Sequence, residues 1–168
     1  NQTTTLDTSV VLGTLQITGS PTRRANWTIE ASGGNTITMQ VSSGAALIAN
    51  YASSGPVLTI NPDIIIASDL LVEARNFDNQ GLNLNINGSI TGVGQVTLKP
   101  TRGGNNASQR ITAAMINNTG SLLVNGEDRN ATEAIIHAIG ANVTTLTKDN
   151  TSELFLTGAN SYAGSTYV

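Results

Sequence analysis

The sequence predicts an all-β fold with almost no helix, and three observations carry that reading. Thr, Ser, Asn, Gly, Val, Ile and Leu dominate, and no stretch offers the run of Ala, Glu, Lys, Leu and Arg in which a helix forms. Short runs recur in which aliphatic residues alternate with Thr, Asn, Gln and Ser, the side-chain period of a half-buried strand. Between the runs sit Gly, Asn, Ser and Pro, residues that accept positive φ or preset a turn.

In chain order, strands are expected at Leu15 and Ile17; at Ile37, Met39 and Val41; at Leu58 and Ile60; and at Leu70, Val72 and Ala74. They continue at Leu82, Leu84 and Ile86; at Val96 and Leu98; at Leu122 and Val124; and at Leu154 and Leu156. Leu82-Asn83-Leu84-Asn85-Ile86-Asn87 is the clearest, with aliphatics on one face and Asn on the other. Turns are expected at Ser32-Gly33-Gly34-Asn35, Ser53-Ser54-Gly55-Pro56, Asn61-Pro62-Asp63, Asn79-Gln80-Gly81, Asn87-Gly88 and Arg102-Gly103-Gly104-Asn105-Asn106. Such closely spaced short strands fit a sandwich, a barrel or a β-solenoid. An aromatic content of 4% leans toward the solenoid. A sandwich core normally holds several large rings, whereas a narrow coil is filled by stacked Ile, Leu and Val, with Asn ladders at its turns.

Length and charge bound the function. With 168 residues the chain is expected to be a single module spanning residues 1–168. Lys plus Arg number 8 against 11 Asp plus Glu, a net charge of -3, so there is no basic stripe with which to bind nucleic acid. The longest apolar run, residues 64–72, is broken by Asp69 and falls short of the roughly 18 residues of a spanning helix. Without Cys, neither disulfides nor a thiol nucleophile enter the account. The sequence opens at Asn1 without Met or a leader, as a processed form or an excised segment would. It closes on Ser165-Thr166-Tyr167-Val168, a strand pattern expected to continue or to pair with a neighbour.

The segment from Ala138 to Val168 carries a more specific pattern. Leu146-Thr147-Lys148, the turn Asp149-Asn150-Thr151-Ser152, then Leu154, Leu156, Gly158, Asn160, Tyr162, Gly164, Thr166 and Val168 resemble the passenger-associated strand repeat of bacterial autotransporters. Ser165 stands where that family often has a second Gly, and the turn is poorer in Gly than usual. Residues 84–99 carry a weaker echo, the opening around Val10-Val11-Leu12-Gly13 is loosely similar, and residues 99–138 fit least and are read as extra coils or an insertion. The resemblance implies a right-handed parallel β-helix in an exported, cell-surface protein. It implies that Leu154, Leu156 and Val168 point into the core, that Gly158 and Gly164 take corner conformations closed to other residues, that Asn160 bonds neighbouring backbone, and that Tyr162 covers the turn.

Catalytic constellations are sought with little return. His137 is the one histidine and has no Gly-x-Ser-x-Gly elbow to serve. The acids fall in two groups, Asp63, Asp69 and Glu73, and Glu127, Asp128 and Glu133. Asn76-Phe77-Asp78-Asn79-Gln80-Gly81 begins like a calcium loop, but Asn87 occupies the place of the bidentate Glu, so it reads as a turn. No cofactor or metal is expected. Asn-x-Ser/Thr sequons stand at Asn1, Asn26, Asn87, Asn106, Asn117, Asn130, Asn142 and Asn150, as composition partly dictates, and glycosylation is an expectation for an exported fibre.

The expected function is therefore non-enzymatic. The chain reads as a structural module of an extracellular fibre or autotransporter-like surface protein, a rod, spacer or adhesive shaft that stacks end to end on neighbouring modules or copies of itself. The alternative is a carbohydrate-active β-helix, a polysaccharide lyase, hydrolase or tail-spike-like binder of surface glycans, whose acids would line a groove.

Overall fold

A computed structural model describes residues 1–18, 25–53, 55–75, 81–101, 108–127 and 132–168. They form a β-solenoid of about five turns, with no helix among the described residues and every described strand pairing parallel. No described helix is long and apolar enough to cross a membrane.

Three walls are built in parallel as the chain winds. The first stacks β1 (Gln2–Leu6), β4 (Trp27–Ala31), β7 (Val57–Ile60), the start of β10 (Leu82–Val93), the start of β12 (Gln109–Asn125), β13 (Thr132–Ile139) and β15 (Glu153–Leu156). A narrow second wall stacks β2 (Val10–Leu12), β5 (Ile37–Met39) and β8 (Ile64–Ile66), then runs on through the later parts of β10 and β12. The third stacks β3 (Thr14–Ile17), β6 (Ala46–Asn50), β9 (Leu70–Arg75), β11 (Val96–Thr101), the end of β12, β14 (Val143–Asp149) and β16 (Ser165–Tyr167). The segment 99–138 holds β12 and most of β13 in register with the coils on either side, so its described residues stack in line with the rest.

The core consists of columns, each supplied by one residue per coil. On the second wall Val10, Ile37, Ile64, Ile90, Ile116 and Ile139 lie in register. On the first wall Leu58, Leu84, Ile111 and Ala134 do so, and on the third Leu70, Val96, Leu122 and Leu146. From Ile37 to Leu146 these side chains are buried. Parallel pairing hands each coil's backbone N–H and C=O groups to its neighbours, so the narrow interior is filled mainly by aliphatics, with the buried polar residues Asn50, Gln109, Asn118 and Thr132 among them.

At the corners the ladder is interrupted and side chains take over its donors. Asp63 Oδ1 accepts the Ser89 N–H and Asp69 Oδ1 that of Gln95, both at 2.8 Å. Asn117 Oδ1 accepts the Asn142 N–H at 3.1 Å, and Asn160 Oδ1 the Ile139 N–H at 3.0 Å. Each bond joins adjacent coils and would otherwise leave a donor without a partner. Gly92 and Gly94 turn one corner with φ of 106° and 136°, and side chains there would run into the backbone of Ile66 and Ser68. The coils differ in length: along the first wall register partners are 25 residues apart from Gln2 to Trp27, 31 from Trp27 to Leu58, 26 from Leu58 to Leu84, 27 from Leu84 to Ile111, 23 from Ile111 to Ala134 and 20 from Ala134 to Leu154.

Neither end of the stack is covered by a described strand. No described strand pairs with the outer edges of β1, β2, β3, β15 or β16. At the first end the half-buried Leu6, Val10, Leu12, Leu15, Ile17 and Trp27 line an apolar cavity of about 260 Å³.

Candidate functional site

Over its first five coils the outer surface of the first wall is a polar array, because residues alternating with the core point outward there, and on the last two the same column carries Ile135 and Phe155. Thr3, Thr28, Thr59, Asn85 and Thr112 form one outward column across five successive coils. Beside it runs a bonded ladder in which Asn87 Nδ2 donates to Asn61 Oδ1 at 2.8 Å and Asn61 Nδ2 donates to Glu30 Oε1 at 2.7 Å. Where this ladder meets the corner, Glu30, Asn35, Asn61, Pro62 and Asp63 line a shallow groove of about 310 Å³ with Ala31 and Gly34. Asn61 commits both amide atoms to the ladder, so the groove offers mainly carboxylate and amide oxygens.

A second polar cluster lies on the outer face of the third wall. Ala49, Glu73 and Lys99 are register neighbours, and the small Ala49 leaves room for Glu73 to lie flat and buried. The Tyr51 hydroxyl donates to Glu73 Oε2, Thr101 Oγ1 donates to Oε1 at 3.4 Å, and Lys99 Nζ stands 3.9 Å from Oε1. Burial, and then the hydrogen bond to Glu73, push the Tyr51 phenol up to about 12, so it is a fixed donor at neutral pH. A buried carboxylate held in this way braces three coils.

The acids singled out from sequence do not converge. Asp63 borders the groove, Asp69 caps Gln95, Glu73 is enclosed by Tyr51 and Lys99, and Glu133 pairs with Arg110 Nε at 2.9 Å. Glu127 is exposed, and Asp128 lies outside the described residues, as does the loop 76–80 weighed for calcium. His137 is exposed with Nδ1 2.7 Å from Thr157 Oγ1. No group of three or more metal-binding side chains occurs among the described residues. Glu30 and Tyr51 escaped notice in the sequence. The separation of 26 between Asn61 and Asn87 was the available clue, since it equals one coil.

The motif residues of the last two coils fall into two groups. Leu146 is buried beneath Leu122, and Leu154 packs partly against the core. Asn160 bonds backbone as expected, with Nδ2 donating to Gly158 O at 3.1 Å, and the half-buried Tyr162 shares a 2.6 Å hydrogen bond with Thr166 Oγ1. Lys148 occupies the register position of Val124 and curls back so that Nζ donates to the Asp149 and Asn150 carbonyls, both at 2.8 Å. Burial lowers its ammonium below the usual lysine range.

Three details differ from expectation. Leu156 is in register with buried Ile136 but is 40% exposed, and Val168 is fully exposed, because no described coil covers β15 and β16. Gly158 and Gly164 are not in the left-handed region. They are required because a Cβ would overlap the carbonyl oxygens of His137 and Thr144 on the coil beneath.

Of the sequons, Asn106 and Asn130 lie outside the described residues; Asn1, Asn26, Asn87, Asn142 and Asn150 are exposed and Asn117 is half-buried. Comparison with protein-family models, with curated proteins and with solved structures returns no match.

Proposed function

We propose that this chain is a structural module of an exported fibre or autotransporter-like surface protein, a rod or spacer extended by coil-on-coil stacking. One observation carries the reading. Among the described residues the parallel stack ends on both sides in strand edges that no described strand pairs, over incompletely covered aliphatics, Leu6, Leu12, Leu15 and Ile17 at one end and Leu154 and Leu156 at the other. Another coil of the same cross-section satisfies both the edge hydrogen bonds and the apolar surface. That coil belongs to a neighbouring module of one polypeptide or to a second copy, and since the contact is head to tail it extends without closing. The resemblance of residues 146–168 to the passenger-associated repeat supports a cell-surface setting.

Sedimentation and negative-stain microscopy over a range of concentrations test this, with Leu15→Lys as the variant that charges the open end. Rods that lengthen with concentration, and are lost in Leu15→Lys, are expected. A monodisperse monomer at high concentration would sink the stacking.

The groove of Glu30, Asn35, Asn61 and Asp63 favours the alternative, contact with a surface glycan through sugar hydroxyls. Release of reducing ends from surface polysaccharide, lost in Glu30→Gln or Asp63→Asn, would replace the structural reading with an enzymatic one.

A further inference from the structure

We infer that Asn142 is the sequon built to accept a sugar, and that the fold withholds most of the others. The chemistry sets the requirement. The acceptor Nδ2 forms a bond to the anomeric carbon of an activated sugar diphosphate, the carbon–oxygen bond to the diphosphate breaks with its electron pair leaving on the diphosphate, and the amide proton passes to a base. The amide must therefore be accessible and able to reorient, and the hydroxyl two residues on must be within reach of the same enzyme.

The geometry separates the sequons. Asn87 Nδ2 is tied to Asn61, and Asn150 Nδ2 donates to Asn125 Oδ1. Asn26 Oδ1 accepts the Val57 N–H at 3.0 Å, and the half-buried Asn117 holds the Asn142 N–H within β12. Asn1 and Asn142 are the described sequons whose exposed amides make no hydrogen bond to described residues. Asn1 precedes a strand anchored by the Gln2 N–H to Asn26 O bond, whereas Asn142 stands in the turn of residues 141–142, between β13 and β14.

A second observation concerns the hydroxyl. The pairing of β12 with β14 passes from Gly120 opposite Val143 to Ser121 opposite Thr145, so Thr144 is the extra residue of a β-bulge. Val143 is buried and anchors the segment, while Asn142 and Thr144 are both exposed on either side of it. The sequon's two reactive members thus stand outside the ladder, on a rigid base. Sugar attached there projects from a corner and leaves the stacking edges open.

This inference leans on the export reading only for where the donor is met, so the test uses purified, folded chain. The 168-residue protein is treated with a single-subunit oligosaccharyltransferase and lipid-linked oligosaccharide, and occupancy is followed at each sequon by peptide mass spectrometry. Modification at Asn142 is expected to be at least about ten-fold faster than at Asn87, Asn117 or Asn150, the scale set by first breaking an amide hydrogen bond. The preference should vanish in the urea-unfolded chain, and Thr144→Val should abolish it at Asn142 alone. Equal rates at Asn87 and Asn142 in the folded chain would overturn the inference. So would an unmodified Asn142 in folded protein when the unfolded chain takes sugar there.

Discussion

Ile90→Ala is the most direct test of the column packing. Ile90 is 0% exposed and sits between Ile64 and Ile116 in a column that also contains Ile37. Removing its three outer carbons forfeits about 0.8 kcal/mol of transfer free energy per carbon, roughly 2.5 kcal/mol together. A cavity term adds to this, because the neighbours are held one coil away by their own backbone hydrogen bonds and close in only slightly. The expected loss is about 3–4 kcal/mol, within the range for buried Ile to Ala. For a chain of this length that lowers Tm by about 10 °C. Thr91→Ala, one residue on and facing outward, should stay within about 0.5 kcal/mol. Urea and thermal unfolding followed by circular dichroism measure both. Equal losses, or a larger one for Thr91→Ala, would show the inward and outward faces to be misassigned.

Other outcomes follow from single contacts. Ile136→Asp, in a fully covered column, should cost several kcal/mol, whereas Leu156→Asp in the same register keeps its carboxylate in water and should cost well under half as much in urea titrations. Gly158→Ala should release β15 from β13 at a cost of about 2 kcal/mol or more, since the new methyl meets the His137 carbonyl, and faster amide exchange at Thr157 and Ser161, which bond Ile136 and Ile139, would report it. Tyr51 has a folded pKa above its unfolded value, so its contribution is present below pH 10 and is lost as pH rises through about 12. Phenolate absorbance should show the transition missing from Tyr51→Phe centred near that pH, and a missing transition near pH 10 would refute the burial argument.

Much of the fold was legible locally. The alternation in residues 82–87 named the inward Leu82, Leu84 and Ile86 correctly, because strand faces follow from a period of two and need no knowledge of partners. The scarcity of rings pointed to a narrow core, and the Asn-rich turns anticipated the Asn61–Asn87 ladder. The groove was not legible. Glu30 comes from one coil and Asn61 and Asp63 from the next, and they meet only through a register that depends on the length of the chain between them.

The sequence by itself determined the all-β class, the inward face of most runs and the turns at residues 32–35 and 61–63, all properties of a few consecutive residues, whereas Asn87-Gly88, expected to turn, lies within β10 where its register shifts, and residues 79–80 and 102–106 lie outside the described residues. Tertiary structure alone decided how far each turn advances the chain before it pairs, and with it every contact between coils. Leu156 is the clearest case. Its pattern assigns it to the core, and the register with Ile136 agrees, yet it is part-exposed because burial in a solenoid requires a coil on both sides. Gly158 and Gly164 teach the same point. They looked like residues chosen for their own backbone angles, and they are needed because another coil's carbonyl lies where a side chain would be.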